Sequence, residues 1–98
     1  VPSIQLLPDL QEQQNVDFEP SGNPEWLVIV YNNDHNTYDE VIEILIRATG
    51  CTLEEAEMET WEVDHLGRSI VHHGSEEECD RAASVIRTIG IHVEVREQ

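Results

Sequence analysis

WLVIVYNNDHNTYDEVIEIL, residues 26–45, carries the pattern from which the fold of this chain is read. Trp26 to Asn32 is a dense run of β-branched and aromatic residues, the composition of a buried strand. Asn32 to Asn36 is a polar turn, and Asn36 stands where a helix N-cap belongs. Thr37 and Tyr38 follow, and Asp39 and Glu40 put negative charge in the first turn, where the helix dipole favours it. Val41, Ile42, Leu45, Ile46 and Thr49 then recur at helical spacing until Gly50, a residue suited to the left-handed conformation that ends helices.

Toward the C-terminus, Thr52-Leu53-Glu54-Glu55 is a capping box, opening a second helix with Leu53, Ala56, Thr60 and Val63 on one face and Gly67 past its end. RSIVHH, residues 68–73, alternates as a strand. Ser75-Glu76-Glu77-Glu78 opens a third helix with Cys79, Ala82, Ala83, Ile86 and Ile89 inward, closed by Gly90. IHVEVR, residues 91–96, alternates strictly. The order β-α-α-β-α-β with short connections predicts an α+β sandwich, a three-stranded sheet packed with three helices. Toward the N-terminus, residues 1–25 hold all four prolines and no basic residue, and read as a flexible acidic tail. Its apolar patch, Ile4, Leu6, Leu7 and Leu10, is too short for a stable helix in water. The expected organisation is therefore a tail over 1–25 and one domain over 26–98.

Twenty-one acidic residues face five basic ones, all arginine, giving a net charge of −16. Such a surface repels phosphate backbones and anionic headgroups, which argues against nucleic acid and membrane as partners, and attracts cationic ligands such as a free α-amino group. No apolar run approaches the ~20 residues of a membrane span, and the first residues lack the layout of a signal peptide. The two cysteines, Cys51 and Cys79, match no zinc or CxxC spacing and read as reduced thiols of a cytoplasmic protein.

No phosphate loop, nucleophile elbow or HExxH motif is present. The polar candidates are Asn32, Asn33, Asp34 and His35 after the first strand, with Asp64 and His65 at the end of the second helix. An Asp/His cluster of this kind is one reading, as a metal site or a base with its orienting group. Ammonium binding suits the residue types better. A protonated amine needs several acceptors, at least one anionic, and such charge-assisted bonds are short and strong. Asn carbonyls with Asp34 and Asp64 supply them, and Val41 and Val63 offer apolar surface for an adjoining side chain. Val41, Thr60 and Val63 read equally well as plain core at helical spacing.

These stretches, with EEAEMETWEVDHLGRSIV over residues 54–71, resemble the ClpS family of adaptors for the Clp protease. The resemblance implies three antiparallel strands with three helices, as in the C-terminal domain of the ribosomal stalk protein. It implies a non-catalytic, cofactor-free and metal-free monomer that grips the N-terminal residue of N-degron substrates and passes them to a ClpA- or ClpC-type unfoldase. Asn32, Asn33, Asp34 and Asp64 would hold the α-amino group, and Asn36, Tyr38, Val41, Thr60 and Val63 would form the hydrophobic pocket. Asn33 stands where the family usually has Asp, Asp64 where it usually has His, and Tyr38 where it often has a gatekeeping Met. Glu77 matches a residue that contacts the unfoldase, and Arg81 adjoins the position of a contacting Lys, here Ala82. A second reading keeps the fold and the unfoldase but with altered or lost N-degron binding.

Overall fold

The computed structural model describes residues 25–98; most of the expected tail lies outside the described residues. The chain runs β1 (Trp26–Tyr31), α1 (Tyr38–Thr49), α2 (Leu53–Leu66), β2 (Arg68–Gly74), α3 (Glu76–Ile86), a 3₁₀ turn (Arg87–Ile89) and β3 (Val93–Glu97). The sheet order is β2-β1-β3, with both neighbours antiparallel to the central β1. This is the α+β arrangement expected from the element order.

Val28 and Val30 face the helices and are fully buried, meeting Val41, Ile44 and Leu45 from α1, Ala56 and Val63 from α2, and Ala82, Ala83 and Ile86 from α3. Leu27 and Ile29 alternate to the other face, where Leu66, Ile70 and the stems of Arg68 and Arg96 flank a shallow groove. Register slips between Val28 and Ile29, which pair with His72 and Ile70, so Val71 is an extra residue in β2. The bulge leaves Val71 buried in the core.

All three helices open on capping boxes, Thr37/Glu40, Thr52/Glu55 and Ser75/Glu78. The first corrects the sequence reading, because the N-cap of α1 is Thr37 and not Asn36. The Thr37 hydroxyl accepts from the Glu40 N–H at 3.2 Å, and the Glu40 carboxylate accepts from the Thr37 N–H at 2.9 Å. A Thr-x-x-Glu pattern satisfies two orphan N–H groups at once, which a lone Asn one residue earlier does not. The Thr37 N–H first, and the Asn36 amide second, hold the Glu40 carboxyl below its usual value. Leu53 is a second correction: it begins α2 with 55% of its surface exposed and takes no part in the face formed by Ala56, Thr60 and Val63. Ile89 lies in the 3₁₀ turn, half-buried at the margin of the core. Both cysteines are free, and burial, followed by the nearby Glu78 and Asp80, pushes the Cys79 thiol up.

A second groove, between α2 and β2, is lined by Cys51, Glu55, Glu59, Val71 and His72. Glu59 turns its Oε1 into the protein, where it meets no hydrogen-bond partner. Desolvation, with the charges of Glu55 and Glu62 adding to it, pushes its carboxyl up to about 7.

Two outcomes follow from this packing. Leu45→Ala should cost about 2–5 kcal/mol in denaturant unfolding, whereas Leu53→Ala should stay within about 0.5 kcal/mol. For Glu59, the folded state binds the proton more tightly than the unfolded chain, so its contribution falls as pH rises from 4.5 to about 7. Glu59→Gln should therefore gain stability relative to the unmodified chain across that window, read as a growing difference in unfolding midpoint; a difference independent of pH would contradict it.

Candidate functional site

The end of β1 is held on both sides by the backbone. The Tyr31 N–H donates to the His92 carbonyl at 3.0 Å, and the Asn32 N–H donates to the Gly67 carbonyl at 2.9 Å. Gly67 ends α2 at φ 93°, a left-handed conformation that costs glycine little, and its N–H closes the helix on the Val63 carbonyl. These ties bring the last turn of α2 beside the exit of β1.

The chain then turns on Asn33. Its Oδ1 accepts from the N–H groups of His35 at 3.3 Å and Asn36 at 3.1 Å, while its Nδ2 donates to the Asn36 side chain at 2.7 Å. Asn36 in turn donates to the Ile89 carbonyl at 3.0 Å and to Glu40 at 3.1 Å. Asn36 thus pins the loop to the 3₁₀ turn that precedes β3 instead of capping α1. The Asn33 side-chain carbonyl, expected as an amine acceptor, is already engaged twice by backbone donors.

Between these elements lies a notch of about 50 Å³, lined by Asn32, Asn33, Asn36, Thr37, Tyr38, Val41, Thr60, Val63, Asp64 and Ile91. Val41, Val63 and Ile91 are buried and make an apolar floor. The Thr60 hydroxyl is spent on the Ala56 carbonyl at 2.7 Å, so the residue serves as wall rather than as a polar contact. At the mouth, the Tyr38 hydroxyl donates to Asp64 Oδ2 at 3.3 Å. Desolvation, and then the charge and hydrogen bond of Asp64, raise the Tyr38 phenol above its ordinary value. His65 Nδ1 lies 3.5 Å from the same carboxylate oxygen, while its ring stacks on Trp61 with centroids 4.4 Å apart.

The notch therefore gathers eight of the nine residues expected at the amine and pocket sites. Asp34 is the exception. Its side chain is fully exposed and turned toward His35, with 3.6 Å between Oδ1 and Nδ1. The Asn33-centred turn sends residue 34 outward, so position in the sequence motif does not become position in the notch. Thr37 and Ile91 line the notch without having been anticipated. The Thr-x-x-Glu spacing signals Thr37, whereas Ile91 comes from a connection about fifty residues downstream that no local pattern links to the site. Asp34 with His35, and Asp64 with His65, remain two neighbouring pairs. Among the described residues no group of three or more His, Cys, Asp or Glu is arranged to hold a metal ion, and no helix is long and apolar enough to cross a membrane. Glu77 and Arg81 are exposed on α3, away from the notch and one turn apart.

A family model described as ATP-dependent Clp protease adaptor protein ClpS matches residues 21–92. The chain belongs to the ClpS family of adaptor proteins. Among solved structures it is similar to Agrobacterium tumefaciens ClpS2 bound to L-phenylalaninamide, with a TM-score of 0.72 at 11% identity, over 78% of this chain and 99% of that one. At that identity the likeness concerns the fold. It is also 32% identical over 84 residues to the human E3 ubiquitin-protein ligase UBR1, covering 86% of this chain and 4% of the ligase. With mouse UBR2 it shares 38% identity over 58 residues, 59% of this chain and 3% of the ligase. The chain thus corresponds to one small segment of those ligases.

Proposed function

We propose that the chain is an N-degron adaptor: it binds the free α-amino group and the hydrophobic first side chain of substrate proteins and delivers them to a Clp AAA+ unfoldase. The observation that carries the reading is the notch itself, where the Asp64 carboxylate and the Asn32 amide stand at the mouth of an apolar floor made by Val41, Val63 and Ile91. A free N-terminus presents the matching pair of features, an ammonium one bond from the carbon that bears the first side chain. Burying a Leu- or Phe-sized group contributes about 1.5–3 kcal/mol. A charged hydrogen bond to the ammonium adds about 1.5–3 kcal/mol. One comparison supports the same ligand class: ClpS2 was solved with L-phenylalaninamide, an aromatic amino-acid amide that keeps its α-amino group.

In this reading Asp64 is the principal anion, and Asn32 a neutral acceptor beside it. Asn33 and Asn36 shape the loop, Val41, Thr60 and Val63 enclose the side chain, and Tyr38 stands at the rim. Asp34 contributes to the field at the site and not to direct contact, since its carboxylate points to solvent. Hand-over places the N-terminal domain of a ClpA- or ClpC-type unfoldase on α3, near Glu77 and Arg81, leaving the notch open during transfer. The working unit is a cytoplasmic monomer that acts by binding, as an adaptor does, without catalysis of its own. Its net charge of −16 disfavours nucleic acid and anionic membranes as partners.

Calorimetric titration with peptides that begin in Leu, Phe, Trp or Tyr tests this directly. Acetylating the peptide should weaken binding by about tenfold or more, because it removes the charge and leaves acceptors unpaired. Asp64→Asn should cause a loss of similar size, and Asp34→Asn less than about threefold. Equal affinity for free and acetylated peptides would refute the amine-binding role.

A further inference from the structure

The notch as it stands is smaller than the ligand proposed for it. Its volume is about 50 Å³, whereas a cavity that accommodates benzene measures ~150 Å³ and a single water needs ~10–15 Å³. The notch holds a few waters, and a leucine or phenylalanine side chain would seat in it fully only if part of its lining moved aside. Val41, Val63 and Ile91 belong to the packed core, and Thr60 is buried with its hydroxyl bonded to its own helix, so the floor and wall have no space to retreat into. Tyr38 differs from them. It stands at the first position of α1, 42% exposed, and its ring is held over the mouth by the contact with Asp64 on the opposite lip.

We propose that the Tyr38–Asp64 contact is a latch that keeps the notch closed until an ammonium group displaces the Tyr38 hydroxyl from Asp64. The inference rests on the amine-binding reading and extends it from where the ligand sits to how the site opens. At 3.3 Å the contact is long for an O–H···O bond and correspondingly weak. The ammonium offers a charge-assisted bond to the same carboxylate, stronger than that of a neutral phenol. Exchange of one partner for the other frees the ring to swing toward solvent and uncovers the apolar floor. Capture of the amine and admission of the side chain are thereby one event. A hydrophobic side chain that arrives without a free amine finds the latch shut, so the pair selects true N-termini over internal hydrophobic residues. Desolvation and the Asp64 charge both oppose loss of the phenolic proton, which keeps the hydroxyl a donor throughout the neutral range.

Tyr38→Phe tests the latch, since it keeps the ring and deletes the hydroxyl at a partly exposed position where the fold does not depend on it. The unmodified chain and Y38F are titrated with a peptide beginning in Phe and with its N-acetylated form, and association is followed by stopped flow. Y38F should bind the free peptide about two- to tenfold more tightly, the factor for one hydrogen bond, with faster association. It should also discriminate less against the acetylated peptide. Unchanged or weaker binding of the free peptide by Y38F, when the unmodified chain still prefers free over acetylated peptide, would overturn the latch and leave the amine-binding reading intact. No preference in the unmodified chain would defeat that reading and the latch with it. A crystal structure of the complex in which the Tyr38 hydroxyl still lies within hydrogen-bond distance of Asp64 would also overturn the latch.

Discussion

The candidate site depends on two backbone hydrogen bonds at the end of β1, from Tyr31 to the His92 carbonyl and from Asn32 to the Gly67 carbonyl. They hold the exit of the central strand between the approach to β3 and the end of α2. Gly67 lies three residues beyond Asp64, less than one helical turn, so fixing its carbonyl fixes where the Asp64 carboxylate emerges. The Ile91 side chain, one residue before His92, is brought under the same opening. Residues far apart in the chain become lips and floor of one notch because these two backbone hydrogen bonds join their segments at this junction.

Polarity is distributed around the notch by a division of labour among side chains that look alike in sequence. Asn33 and Asn36 spend their hydrogen bonds inside the protein, on the turn, the Ile89 carbonyl and each other. Asp34 is directed to solvent by that turn. Asp64 is left as the carboxylate facing the opening. An ionised carboxylate brings a full negative charge and acts purely as an acceptor. With Tyr38 as its present partner, Asp64 links the charge of the site to the ring that covers it.

The fold was largely legible because helix limits are written locally. Thr52…Glu55 and Ser75…Glu78 satisfy orphan N–H groups within four residues, and the alternation around Val28 and Val30 marks the core face of the central strand. The same local logic, applied to Asn36, misplaced the cap by one residue, since Thr37 with Glu40 offers the fuller set of hydrogen bonds. The site was legible in part. Tyr38, Val41, Thr60, Val63 and Asp64 converge because helical spacing dictates which faces meet. The outward turn of Asp34 and the arrival of Ile91 were not legible: the first follows from a side-chain-stabilised turn, the second from a contact across the whole domain.

Amide chemical shifts followed during titration with a peptide beginning in leucine test the central claim most directly. Perturbations should concentrate at Asn32, Thr37, Tyr38, Val63 and Asp64, and should disappear when the same peptide is acetylated. Perturbations centred instead on the opposite sheet face around Leu27, Ile29 and Ile70, or identical for both peptides, would contradict it.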